Sequence, residues 1–448
     1  MLRFFASLMI LLLPVLVAAD EIAVTVYNSN LGVVSETRML SFDKGIAELA
    51  FRDVPSMIDP ASVRFGLTND GTEVTILEQN YAYDLVSSDK LYAKYIDKPI
   101  DLLDKDGNLF SGSLLAHGGS SVTLRDKSGK IKIVSLEHVI ETNFPELPEG
   151  LITRPTLFWK YRSDIDGSRE ADVSYQTGGM TWEAEYVGLL DENETNLNLS
   201  GWSSINNTSG KTYKDASLRL IAGDIHRAQQ PGRGRPELSM AAKGYVADSF
   251  EEKAFFEYHM YTLPRKTTLA DKQIKQVSLF EPASTAVKKV YLYRPDYNRE
   301  DVTVRVEFAN SEVGGLGMPL PAGRVRMFKA DSDGSMILLG EDRINHTPRE
   351  DSVKLTIGTA FDVKAEEKTK NVTRVSQKVE EREYEITLRN RKDSDVTVRV
   401  EKNLYGYWEI LRSTFEYNKE NASMVSFQIP VKAGETVVLN LMVRFTTR

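Results

Sequence analysis

Residues 172–224 read DVSYQTGGMTWEAEYVGLLDENETNLNLSGWSSINNTSGKTYKDASLRLIAGD. Val173, Tyr175 and Thr177 alternate with Asp172, Ser174 and Gln176, and beyond Gly178 and Gly179 the alternation resumes with Trp182, Ala184 and Tyr186 against Glu183 and Glu185. A period of two puts one face of a strand toward a core and the other toward water, so the spacing predicts a hairpin with one buried face. A third run keeps Leu197 and Leu199 in step. It then slips at Gly201 to bring Trp202 inward, which predicts a bulge where glycine permits the kink. Ala216, Leu218, Leu220 and Ala222 form a fourth run that closes the sheet.

The same period extends in both directions, and the fold class it predicts is all-β: several linked β-sandwich modules of immunoglobulin-like type. Residues 20–97 open with strand-like runs at Ile22, Val24 and Val26 and at Leu49 and Phe51. Residues 98–143 change texture to five short strands between tight polar turns, among them Asp106, Gly107, Asn108 and Gly118, Gly119, which predicts a small five-stranded barrel of SH3-like or Sm-like type inserted near the N-terminus. Phe144 to Pro148 then form a stiff linker. The central sheet domain occupies residues 150–226. Residues 227–285 combine a polar run rich in Gly and Pro, read as a flexible linker, with two long crossing strands. From residue 286 to 448 the chain is strand throughout, a C-terminal β-sandwich region. In it the heptapeptide DVTVRVE occurs twice, at residues 301–307 and 395–401. The 94-residue spacing fits two duplicated sandwiches, and the motif is also a common solution for any half-buried strand.

Residues 1–19 carry a basic start at Arg3, an apolar run from Leu8 to Val17 and a small-residue exit at Ala18 and Ala19, the pattern of a cleavable secretory signal. No cysteine follows that exit to carry a lipid anchor, and no later segment offers the roughly 20 apolar residues of a spanning helix. The expected location is therefore periplasmic or secreted, with no transmembrane segment once the signal is removed. The chain has no cysteine at all, so an exported product must hold together by burial alone. Its formal net charge is −8. Loss of Arg3 with the signal takes Lys+Arg from 56 to 55 against 64 Asp+Glu, or −9. A field of that sign argues against nucleic acid as a partner.

Ordered short motifs add a resemblance. Gly179 to Trp182 with Glu185 and Tyr186, Gly201 and Trp202 with Asn207, Ser209 and Gly210, and Ala222 to Asp224 are followed by GMPLPAGRVR at residues 317–326, by Leu339 to Asp342, and by GTAFDV at residues 358–363. In this order they resemble the bacterial domain of unknown function numbered 4139, the group that includes mucoidy-inhibitor-A-like proteins. The likeness covers roughly residues 154–448. It implies an exported, β-rich protein and brings no catalytic residues with it. The coiled-coil insertion frequent in mucoidy-inhibitor-like members has no counterpart here.

Candidate sites are few. Glu183 and Glu185 project from one strand face about 6.5 to 7 Å apart, a spacing compatible with the two carboxylates of glycoside hydrolysis. With Trp182 and Trp202 they form the candidate ligand-binding set, against the plainer reading of a solvated face beside core aromatics. Trp159 and Trp408 complete the possible sugar-stacking surfaces. Asp224 with His226, and Glu257 with His259, are spaced as same-face metal ligands, yet no HExxH or Cys cluster supports them and no metal is assigned. Asp104, Asp106 and Asn108, like Asp331 and Asp333, resemble the start of a calcium loop but lack its twelfth-position glutamate, so hairpin turns are expected. No nucleophile elbow, P-loop or dinucleotide fingerprint occurs, so no cofactor is expected. These features predict a non-enzymatic envelope protein that binds or scaffolds through β-sandwich surfaces, with a protein or an envelope glycan as partner. The alternative is a carbohydrate-binding or carbohydrate-active protein using Glu183, Glu185 and the tryptophans.

Overall fold

The computed structural model describes residues 21–68, 73–148, 150–223, 225 and 250–447. The expected signal, Asp224, His226 and the polar run after it lie outside these residues. The described chain is nearly all strand with one short helix, as the period of two predicted.

Gly167–Thr177 and Met180–Leu190 are strands as expected, but they do not pair with each other. The first runs antiparallel between Leu31–Phe42 and Ile58–Leu67. The second pairs with Asn196–Asn207 and, in parallel, with Gly323–Ala330. Gly178 and Gly179 therefore carry the chain from one sheet to the sheet facing it. Gly179 has φ +75°, and a Cβ there would stand 2.8 Å from the Ser209 backbone. Only glycine fits that crossover. Alternation reports which face of a strand is buried and not which neighbour carries its ladder, so the pattern of a hairpin and that of a two-sheet crossover are the same.

The two sheets form a central sandwich. One has eight strands, ordered Glu251–Phe255, Tyr258–Thr262, Tyr213–Ala222, Glu21–Tyr27, Leu31–Phe42, Gly167–Thr177, Ile58–Leu67, with Thr267–Leu269 also on Tyr213–Ala222. The other has five: Gln273–Ala286, Asn196–Asn207, Met180–Leu190, Gly323–Ala330 and Met336–Ile344. Val24, Val26, Tyr175, Trp182, Tyr186, Leu218 and Met327 share one core between them. Each aliphatic side chain so buried contributes roughly 1.5–3 kcal/mol before entropy is set against it.

The bulge is present, but not where the slip at Gly201 placed it. Leu197, Leu199, Gly201, Ser203 and Ile205 stay buried in unbroken alternation, and Trp202 faces outward, half-buried. The register slips in the partner: Leu199 meets Ala283, Gly201 meets Phe280 and Trp202 meets Ser278, so the extra residues belong to Gln273–Ala286. Gly201 makes room for them, since a Cβ there would lie 2.3 Å from the Phe280 ring.

A three-stranded sheet, Gly45–Arg52, Thr156–Ser163 and Val74–Ala82, packs beside the sandwich through Phe42, Val74 and Tyr161. Between its neighbouring strands Val74–Ala82 and Thr156–Ser163 the chain leaves to build the inserted unit. Val86 N to Ile152 O at 2.9 Å and Ile152 N to Asp84 O at 3.1 Å pinch its base. The helix Ser88–Lys94, capped by the Ser87 hydroxyl, buries Tyr92 against this unit. Its five strands are ordered Val139–Asn143, Pro99–Asp104, Leu109–Gly118, Ser121–Arg125, Ile131–Ser135. The barrel expected here is not closed: the first and last strands of this order are open edges. Two of the three residues that join them are committed elsewhere: Leu136 N donates to Ser120 O, and His138 O accepts from Lys105 N. The Asp104 and Asp333 carboxylates accept hydrogen bonds from their own turns, which are hairpin turns as expected.

Nine strands make the C-terminal sheet, running from Tyr407–Ser413 at one edge to Tyr417–Asn421 at the other. It rolls around a single core of Tyr293, Val398, Val400, Phe427, Leu439 and their neighbours. Its two edges meet through side chains: Trp408 Nε1 donates to Ala422 O at 2.8 Å, and Lys419 Nζ sits 4.5 Å over the same indole. Both copies of DVTVRVE lie in this one sheet, on either side of Lys288–Tyr293, so they do not mark two duplicated sandwiches. Asp301–Ala309 runs antiparallel to that strand and Val396–Asn403 parallel to it, with Val304 and Val398 both opposite Tyr291.

Candidate functional site

Where the two sheets of the central sandwich meet at one end, four segments enclose a cleft of about 260 Å³. Ala222 and Gly223 end one strand, Glu257, His259 and Tyr261 come from the outermost hairpin, and residues 319–321 and 346–348 supply two loops. Prolines 319, 321 and 348 and Leu320 give it an apolar wall, and the imidazoles of His259 and His346 give it polar groups.

The wall is fixed from the core. Tyr261 OH donates to Pro319 O at 3.0 Å and Tyr186 OH to Pro321 O at 2.8 Å. Burial pushes both phenols above their ordinary value, so they remain donors. Leu320 and Thr347 exchange two backbone hydrogen bonds at 2.9 Å, which joins the loops. Trp182 Nε1 donates to Ile221 O at 2.9 Å and steadies the strand end beside Ala222.

The two histidines are held in different tautomers. His259 Nδ1 lies 2.8 Å from Glu252 Oε1. A carboxylate only accepts, so Nδ1 carries the proton and Nε2 of the neutral ring keeps its lone pair. Arg349 in turn binds Glu252 at 3.2 Å. His346 Nδ1 instead accepts from Ala322 N at 3.1 Å, which leaves the proton of the neutral ring on Nε2. A metal bridging the rings through both Nε2 atoms would have to displace that proton. Among the described residues no three His, Cys, Asp or Glu side chains converge as ligands.

Glu183 and Glu185 do share the outer face of the five-stranded sheet, but their surroundings differ. Glu185 is 7 % exposed. Arg324 holds it through two hydrogen bonds of 2.9 and 3.2 Å, and Arg326 adds a third at 3.0 Å. Glu183 is exposed and pairs with Arg343 at 3.2 Å. Both carboxylates are thus engaged by guanidinia. Trp202 stands across from Glu185 on that same face, whereas Trp182 points the opposite way into the core. Trp159 is buried with its indole on Gln79 at 2.7 Å, and Trp408 closes the C-terminal sheet. The four tryptophans therefore form no common platform.

GMPLPAGRVR, at residues 317–326, is the segment that supplies both the cleft wall and the arginines on Glu185. A sequence profile described as domain of unknown function (DUF4139) matches residues 171–405, just over half of the chain. The chain belongs to the DUF4139 family. A comparison with curated proteins finds no match. The DUF4139 region begins in Gly167–Thr177 and ends within the C-terminal sheet, so it takes in every cleft residue. Sequence reasoning found Glu257 and His259 together but missed His346 and Glu252. His346 lies 87 positions from His259 and enters the cleft only through the Leu320–Thr347 bridge. The usable signal was the pair of prolines in MPLPAG, a rigid backbone beside an apolar core.

Proposed function

We propose that this DUF4139 chain is an exported envelope protein that works by binding, and that its ligand sits in the cleft formed by Tyr261, residues 319–321 and His346. Export rests on the basic, apolar and small-residue order of residues 1–19. Binding rests on one observation above others, the pinning of the Pro319 and Pro321 carbonyls by two buried tyrosine hydroxyls. A preformed wall gives up little freedom when a ligand arrives, and a concave, largely apolar surface with a few placed polar groups is what small ligands and side chains occupy. His259 Nε2 offers an acceptor inside that wall, and Glu257 adds a carboxylate at its edge. Open edges such as Ile131–Ser135 offer further room for strand addition.

Glycan, peptide and lipid fractions of a bacterial envelope, titrated separately while the imidazole resonances of His259 and His346 are followed, test this reading. It requires that one fraction move both sets of signals. Unmoved signals in a folded protein, or turnover of a polysaccharide by the purified chain, would contradict it.

A further inference from the structure

The twice-used heptapeptide has an outcome of its own. Because its copies flank Lys288–Tyr293 in opposite directions, Arg305 stands opposite Val290 and Arg399 opposite Leu292, and all four project from the same outer face. Val290 and Leu292 are buried there although they belong to neither sandwich core. Arginine stems are suited to covering such positions. The carboxylates on this face are already taken. Arg399 holds Glu307 at 3.0 and 3.3 Å, Arg294 holds Glu401 at 2.6 Å, and Glu420 binds the Ser426 hydroxyl at 2.5 Å. Lys288 and Lys354 stand directly across from Glu307 on the neighbouring strands. Around Arg305, the cations Arg294, Arg399, Lys288 and Lys354 thus add to a local excess over Glu307, Glu401 and Glu420, on a chain whose net charge is −8.

Of the three arginines on this face, Arg305 is the one without a hydrogen-bonded carboxylate among the described residues. Its Nε is shielded from water and bonds to no described group. Burial, and then the like charge of Arg294, hold its guanidinium below the ordinary value. A buried charged donor without an acceptor is costly, and a fork of guanidinium N–H groups matches the oxygens of a carboxylate or phosphate.

We propose that this face binds a compact oxyanion, a phosphate or a carboxylate, with Arg305 as the unshared ligand and Arg294 and Arg399 beside it. Anion binding turns the fork outward and exchanges an orphaned donor for a charge-assisted pair. The site is separate from the cleft and independent of what the cleft holds.

Isothermal titration of the whole chain with inorganic phosphate and, separately, with glucuronate tests the proposal, alongside Arg305→Met and Arg305→Lys. Methionine keeps a stem over Val290 and removes the charge. Saturable binding of either anion is expected, phosphate alone or glucuronate alone naming the ligand type. Arg305→Met should weaken it roughly tenfold or more and Arg305→Lys less, with the thermal midpoint of neither variant lowered, since no described hydrogen bond is lost. No saturable binding of either anion, or equal binding by wild type and Arg305→Met, would overturn it.

Discussion

Lys211 Nζ donates to Glu36 Oε1 at 2.6 Å inside the central sandwich, where both side chains are almost wholly buried. Arg38 Nε reaches the other oxygen at 2.8 Å, and the Tyr175 hydroxyl donates to Glu36 as well. Burial by itself would raise the Glu36 pKa. The Lys211 ammonium and the Arg38 guanidinium override it and hold the carboxyl below its ordinary 4.5. Glu36→Gln should leave Lys211 as a buried charge without its partner and cost about 3–5 kcal/mol in chemical denaturation.

The same group sets an acid limit. A carboxyl whose folded pKa is depressed stabilises the fold fully above its unfolded value, near 4.5, and loses that contribution as pH falls through the lower folded value. The midpoint of wild type should therefore drop more steeply below pH 4.5 than that of Glu36→Gln. Parallel curves for the two proteins would show that Glu36 does not titrate across unfolding.

Glu183 and Glu185 look equivalent in sequence and should behave differently. Glu183→Gln removes one exposed ion pair and should change stability by less than about 1 kcal/mol. Glu185→Gln removes the buried negative charge that Arg324 and Arg326 share, while Arg326 keeps its hydrogen bond to Glu341 at 3.0 Å, and should cost about 1–3 kcal/mol in the same assay. Ligand binding in the cleft should survive both substitutions.

Gly323 sits where Gly323–Ala330 meets Met180–Leu190 in parallel, and an added Cβ would stand 2.1 Å from Ala184 O. Gly323→Ala should lower stability by about 1–3 kcal/mol, because the obstacle is backbone in a ladder and cannot swing aside. An unchanged thermal midpoint would mean that this ladder is looser than the geometry shows.

What the sequence revealed and what it concealed have physical causes. Inward residues such as Val173, Tyr175, Trp182 and Tyr186 were legible because burial on one strand face imposes a period of two whatever the partner. Pairing was not, because Gly178 and Gly179 serve a hairpin and a crossover alike. Trp202 was misplaced for a related reason: the bulge that accommodates it sits on Gln273–Ala286, a strand about 80 residues away in sequence. In the cleft, Glu257 and His259 lie two positions apart in one hairpin, Glu257 in its turn, and were visible together. Glu252 reaches His259 across that hairpin from seven positions away, and His346 and the prolines converge on them only through tertiary contacts between segments that carry no common local pattern.

The claim on which the functional account rests is that the cleft holds a ligand, and filling it is the most direct test. Thr347→Trp places a large side chain in the space while the backbone bridge of residue 347 to Leu320 remains available. Native mass spectrometry of the full chain, produced with residues 1–19 in bacterial cells and purified from the envelope, should show a discrete non-covalent adduct on wild type. That adduct should be missing from a Thr347→Trp protein of matching thermal midpoint. The same adduct on both proteins, or none on wild type, would contradict the account.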